Sequence, residues 1–154
     1  MVKRKVGFGI IGTGNIAKLH AQCIEKIQGA YLLGVVSKTE TRAKEISKIF
    51  NCSVFFELEK LLDNPEIDIV CICNESGLHG ETIDKIAKAG KNILCEKPLE
   101  TTLDKISKIE RVVESSGIKL GCVFQNRENP EYTKLKNYFD SGALGKALLC
   151  QSTI

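Results

Sequence analysis

The 154-residue chain is 43% hydrophobic and 27% charged, the balance of an ordinary soluble domain long enough for one core. A formal charge of +3 is small, and its lysines and glutamates interleave, which argues against a nucleic-acid surface. No apolar run approaches the roughly 20 residues of a membrane helix, and seven cysteines without C-x-x-C spacing point away from zinc and disulfides, towards a reducing, cytoplasmic setting.

The first element expected is a strand over Val6–Ile11. Basic residues before it imitate a signal peptide, but glycines interrupt the apolar run and no cleavage site follows. Next comes Gly12-Thr13-Gly14-Asn15-Ile16-Ala17, a G-x-G-x-x-A between predicted strand and predicted helix. Gly12 permits the tight turn, Gly14 lets backbone approach a pyrophosphate, and Ala17 is the small residue where helix meets strand. This spacing predicts a dinucleotide site. His20, further along the helix, reads as packing or surface.

A second strand, Tyr31–Val36, ends on Ser37-Lys38, with Arg42 one helical turn on. NAD sites usually carry an acidic residue here to accept from ribose hydroxyls. A hydroxyl and two cations instead suit a 2′-phosphate and favour NADP, while Glu40 keeps NAD open. The same charges also fit a solvated helix start.

Strands are expected over Ser53–Phe56 and Ile67–Cys73, the latter apolar on consecutive positions, as in a parallel strand covered on both faces. The following loop offers Asn74, Ser76 and the amides around Gly77 to a ribose or pyrophosphate. His79 either ties this loop down or does chemistry. A helix carrying Ile83, Ile86 and Ala87 stops at Gly90.

The strand Asn92–Cys95 runs straight into Glu96-Lys97-Pro98. Alone, such a triplet is a surface turn. At the carboxyl end of a central parallel strand it makes Lys97 the candidate catalytic residue, able to donate to or exchange a proton with a hydroxyl losing hydride. Pro98 restricts Lys97 to extended backbone. A helix from Thr102, with Leu103, Ile106, Ile109 and Val113 on one stripe, stops at Gly117 and leads to a strand over Ile118–Val123. Gln125, Asn126 and Arg127 follow; Arg127 either meets substrate, an acidic group or the nicotinamide carboxamide, or is solvated beside a helix capped by Asn129. That helix opens on Asn129-Pro130 and ends at Gly142, after which "ALLCQSTI" reads as a further strand.

Strand–helix alternation of this kind predicts a doubly wound parallel sheet of Rossmann type, with ligands bound outside the strands' carboxyl ends at the topological switch point. Residues 1–124 would form the dinucleotide-binding domain, and 125–154 a connecting helix and the first strand of a C-terminal α/β substrate domain that the chain does not contain. Neither a metal site nor a Ser–His–Asp arrangement is apparent.

Four stretches, "GIIGTGNIAKLHA", "SGLHGE", "AGKNILCEKPLETTL" and "FQNRENPEYTKLKNYFDSGALGK", give the chain a resemblance to the glucose–fructose oxidoreductase/inositol dehydrogenase/rhizopine-catabolism (Gfo/Idh/MocA) family, in order and over nearly its whole length. The resemblance implies an NAD(P)-dependent oxidoreductase acting on secondary alcohols or ketones of sugars, sugar nucleotides or cyclitols, without nucleic-acid or membrane partners. It implies that Gly12, Gly14, Asn15 and Ile16 cradle the pyrophosphate and that Ser37, Lys38 and Arg42 meet the adenosine ribose. Asn74, Ser76, Leu78 and His79 would line the dinucleotide groove, with Glu96 by the nicotinamide ribose and Lys97 at the reacting hydroxyl. Lys97, Gln125 and Arg127 are expected as further cofactor contacts, the Lys97–Pro98 bond is expected cis, and homo-oligomers are expected through the absent domain. Within the family, "SGLH" and "QNRENP" look most like the branch acting on nucleotide-linked N-acetylated sugars or their uronic acids.

Asn74-Glu75 stands where the family usually has Thr-Pro, and Glu128 where an aromatic residue is common. The family's catalytic Asp and His lie in the C-terminal domain, so this chain alone would bind cofactor but turn over poorly. Two other readings are a stand-alone NAD(P)-binding redox sensor and the same fold holding a flavin or S-adenosylmethionine.

Overall fold

The computed structural model describes residues 4–151, and the chain divides into two compact units that part between Val123 and Phe124. In the first unit the strands are β1 (Val6–Ile11), β2 (Ala30–Val36), β3 (Ser53–Phe55), β4 (Ile69–Ile72), β5 (Asn92–Cys95) and β6 (Leu120–Cys122). All pair in parallel, in the order β3-β2-β1-β4-β5-β6. This is the doubly wound order, and its direction reverses between β1 and β4.

Both faces of the sheet are buried, which is why its strands read as unbroken apolar runs. Successive residues of one strand feed opposite cores. Ile10 and Cys71 pack with Ala17, Ala21 and Ile24 of helix α1 (Asn15–Lys26) and with Ala43, Ile46 and Phe50 of α2 (Glu40–Phe50). Ile11, Val70 and Ile72 pack the other way. They meet Leu61 of α3 (Leu58–Leu62), Ile83 and Ile86 of α4 (His79–Lys88) and Ile109 of α5 (Leu103–Ser116). The expected α5 ends hold: the Thr102 hydroxyl accepts from the Lys105 amide, and Gly117 sits at φ +70°. Leu103 does not join the apolar stripe, however, and is 80% exposed, because it lies in the first turn, off the packed face.

The second unit holds a short 3₁₀ turn, Gln125–Glu128, and helix α6 (Pro130–Asp140). Asn129 Oδ1 accepts from the Glu131 amide at 2.8 Å, so the cap and first-turn proline act as their positions predict. The strand expected over residues 147–154 is not formed in its described part. Residues 147–151 pair with no strand among the described residues, and Leu148 and Leu149 stay exposed; 152–154 lie outside the described residues. Apolar residues alone do not make a strand without a neighbour to bond.

Candidate functional site

At the carboxyl end of β1, Gly12 has φ +102°, and a Cβ there would lie 2.5 Å from the Cys73 carbonyl oxygen. Its amide donates to Val36 O at 2.9 Å. One residue without a side chain thus threads between the ends of β2 and β4. Gly14 differs: its φ is −76°, and nothing lies within 4 Å of the Cβ position. It precedes α1, whose first turn has no acidic residue and no side-chain cap, leaving its amides open to an anion. Ala17 is fully buried against the sheet, while Asn15 and Ile16 are exposed beside the loop.

Ser37, at the end of β2, is buried with its hydroxyl 2.9 Å from Thr13 Oγ1, and it accepts from the Thr39 amide at 3.0 Å. Its side chain therefore ties the glycine loop to the β2 loop rather than projecting outward. Lys38 and Arg42 are the exposed cations there. Glu40, the residue that kept NAD open, pairs with Lys44 along α2; that hydrogen bond and charge hold its carboxyl below the usual range. Thr13, between the two glycines, went unnoticed in the sequence. Its small hydroxyl was the only signal.

After β4, Asn74 donates through Nδ2 to Thr82 Oγ1 at 3.3 Å, and its Oδ1 is buried without a donor among the described residues. Ser76 and Leu78 lie in a 3₁₀ turn, Leu78 exposed. His79 takes up the loop-tying position that was one of its two readings. It is 1% exposed, with Nδ1 2.9 Å from Pro98 O and Nε2 3.2 Å from Asn74 O, so its ring lies between the β4 and β5 loops; a neutral ring donates to one of these carbonyls, and the shorter contact is to Pro98.

After β5 the Lys97–Pro98 bond is cis and Lys97 is exposed. Glu96 is 7% exposed. Its Oε1 accepts from His20 Nε2 at 2.8 Å and its Oε2 from the Lys97 amide at 3.2 Å. A carboxylate only accepts, so the ring proton of His20 sits on Nε2. His20, read from the sequence as packing or surface, is a polar partner of the lysine turn. Glu100 is a second buried acid that the sequence did not mark. Burial alone would raise its carboxyl, but donors from Thr101 (amide and hydroxyl), the Gly80 amide and Lys105 Nζ outweigh that and bring it to about 2.

The nearby thiols are not nucleophiles: burial pushes Cys71 and Cys95 up to about 12, and Cys73 up as well. Gln125 and Arg127 belong to the second unit, where the Arg127 guanidinium lies 5.2 Å from the Phe124 ring centroid. Among the described residues no acidic, histidine or cysteine group could hold a metal, and no helix is long and apolar enough to cross a membrane.

The first unit therefore brings Gly12, Gly14, Asn74, Glu96 and Lys97 to the ends of β1, β4 and β5, on either side of the switch point. Open amides behind Gly14 fit an anion, and the orphaned Asn74 Oδ1 fits a ligand hydroxyl or amide donor, so the residues suit a dinucleotide.

Known proteins share this fold. The profile of the Gfo/Idh/MocA oxidoreductases, an oxidoreductase family with an NAD-binding Rossmann fold, matches residues 6–124. Inositol 2-dehydrogenase of Rhizobium meliloti (strain 1021) is 30% identical over 141 residues, 92% of this chain and 42% of that protein. Scyllo-inositol dehydrogenase from Lactobacillus casei, solved with bound NAD(H) and scyllo-inositol, superposes with a TM-score of 0.86 at 28% identity, covering 93% of this chain and 43% of that one. The WlbA dehydrogenase from Bordetella pertussis, in complex with NADH and UDP-GlcNAcA, gives 0.88 at 26% identity, covering 93% and 44%. The chain spans less than half the length of the curated relatives it matches.

Proposed function

The chain belongs to the Gfo/Idh/MocA oxidoreductase family, and from that premise we propose that it is the dinucleotide-binding part of an enzyme that moves hydride between a nicotinamide and a secondary alcohol or ketone. The observation that carries this reading is the shared sheet edge. An uncapped helix start, an orphaned amide oxygen and an exposed lysine on a tightly held turn stand at the ends of three neighbouring strands.

The amides behind Gly14 would take the pyrophosphate, with Asn15 and Ile16 beside it, and Asn74, Ser76 and Leu78 would line the groove. The nicotinamide, when bound, accepts or gives the hydride. Lys97 would donate a hydrogen bond to the substrate oxygen and so stabilise charge developing there as the C–H bond is broken or made. Glu96 serves the same turn through its carboxylate. Substrates of the sugar, sugar-nucleotide or cyclitol class follow from the relatives' chemistry. The main acid and base, and contacts between subunits, fall to residues beyond the span matched here.

NADP is the favoured cofactor. Lys38 and Arg42 are exposed cations at the β2 end, and Glu40 is spent on Lys44. Titration of the chain with NADPH and NADH, followed by nicotinamide fluorescence, tests both levels. Tighter NADPH binding is expected; equal or tighter NADH binding overturns the preference, and no binding of either at about millimolar concentration overturns the dinucleotide site.

A further inference from the structure

The chain has two histidines, and both end on the same three-residue turn. His20, from α1, reaches Glu96 Oε1 at 2.8 Å, with the two side chains 11% and 9% exposed. His79, from the start of α4, reaches Pro98 O at 2.9 Å. Lys97 lies between the two anchored residues and is itself exposed. Its amide donates to the second oxygen of the carboxylate that His20 holds.

We infer that His20 and His79 are positioning residues for Lys97: they fix Glu96 and Pro98 so that the lysine leaves the β5 edge in one direction. The physical case is one of burial and geometry. A carboxylate removed from water needs its lone pairs met. Glu96 has one oxygen on His20 and the other on the backbone of Lys97, so losing His20 frees the group that orients that amide. The Pro98 carbonyl is the next fixed point, and the proline ring can offer no N–H of its own to another acceptor. Neither histidine needs to touch substrate or cofactor. This inference rests on Lys97 being the reacting-end lysine, but its test has a readout that needs no cofactor.

The test uses the two ring nitrogens. His20 acts through Nε2, which a glutamine amide can imitate and the shorter asparagine cannot. His79 acts on Pro98 through Nδ1, which asparagine can imitate, whereas glutamine places its amide at the Nε2 position. The readout is the acetylation rate of Lys97 relative to exposed Lys108 in the 154-residue chain, followed by mass spectrometry, alongside the melting temperature. His20→Asn and His79→Gln should change the Lys97/Lys108 ratio by about threefold or more, and His20→Gln and His79→Asn should stay within about twofold of the parent.

A packing role would not produce this crossed pattern. Four ratios within about twofold overturn the inference, as does a change that follows melting temperature and not amide reach. NADPH or NADH titration of the same proteins adds a second measure, with weaker binding expected only for the two variants that lose contact. Should the parent bind neither cofactor, the dinucleotide reading fails, and the labelling ratios still judge the histidines.

Discussion

The turn after β1 and the turn after β5 sit on the same sheet edge but are built in opposite ways. The first is made by leaving side chains out. Gly12 squeezes past Cys73, Gly14 faces open space, and Ala17 lets α1 lie on the sheet. The second is made by burying polar side chains that distant elements must satisfy: Glu96 by His20, 76 residues away, and Pro98 by His79, 19 away. A site shaped by absence is fixed by local sequence. A site held by pairs depends on the whole fold bringing the partners in.

The strongest challenge to that contrast is to put a side chain into the first turn. Gly12→Ala forces a Cβ to 2.5 Å from the Cys73 carbonyl, in a left-handed conformation. Neither the end of β4 nor the turn can give way cheaply. A loss of about 2–4 kcal/mol in urea-unfolding stability is expected, with cofactor binding lost alongside. A stable Gly12→Ala chain would show that the turn is less tightly built than its geometry says.

The second turn continues into Glu100, and a milder change there sharpens the comparison. The folded state holds this carboxyl at about 2 against an ordinary value of 4.5. A depressed carboxyl stabilises the fold fully above its unfolded value and loses that contribution as protonation proceeds in the folded state. Stability should therefore fall as pH drops from about 4.5 towards 2. Glu100→Gln keeps the shape but not the charge; it should cost about 1–2 kcal/mol at pH 7 and flatten the decline below 4.5, as measured by urea unfolding across pH. An unchanged slope would mean that the donors from Gly80, Thr101 and Lys105 carry no net weight.

The same division explains what the sequence made legible. β1 and β5 fall at their expected residues and the other strands within three residues at either end, because two-sided burial writes consecutive apolar positions. The glycine loop and the lysine turn were visible as spacings. Helix α3 was not, since five residues do not display a helical period. His20 was unreadable for another reason: nothing at position 20 announces a carboxylate at position 96, and only the fold, which lays α1 against the sheet, brings the two together. His79 was placed on the right loop, with tying that loop down as one of its two readings, and its ring lies between the β4 and β5 loops. Residues 147–151 show the converse error, an apolar run without the strand neighbour that its pattern presupposed.

Gly14→Ala has the smallest expected effect on the fold and tests the comparison at its most specific point. Unlike Gly12, Gly14 has an ordinary negative φ, and its Cβ would meet nothing within 4 Å. Alanine is a clearly poorer N-cap than glycine, by up to about 1 kcal/mol, but loses less chain entropy on folding by a similar amount, so stability should change by no more than about 0.5 kcal/mol. If the open space exists so that a pyrophosphate can approach the backbone, the added methyl occupies part of it. NADPH affinity should then fall by about tenfold while the melting temperature holds. The two glycines would separate cleanly, Gly12 needed for the fold and Gly14 for the ligand. If Gly14→Ala binds NADPH as the parent does, the space over the loop is incidental, and the pyrophosphate must lie elsewhere along the edge.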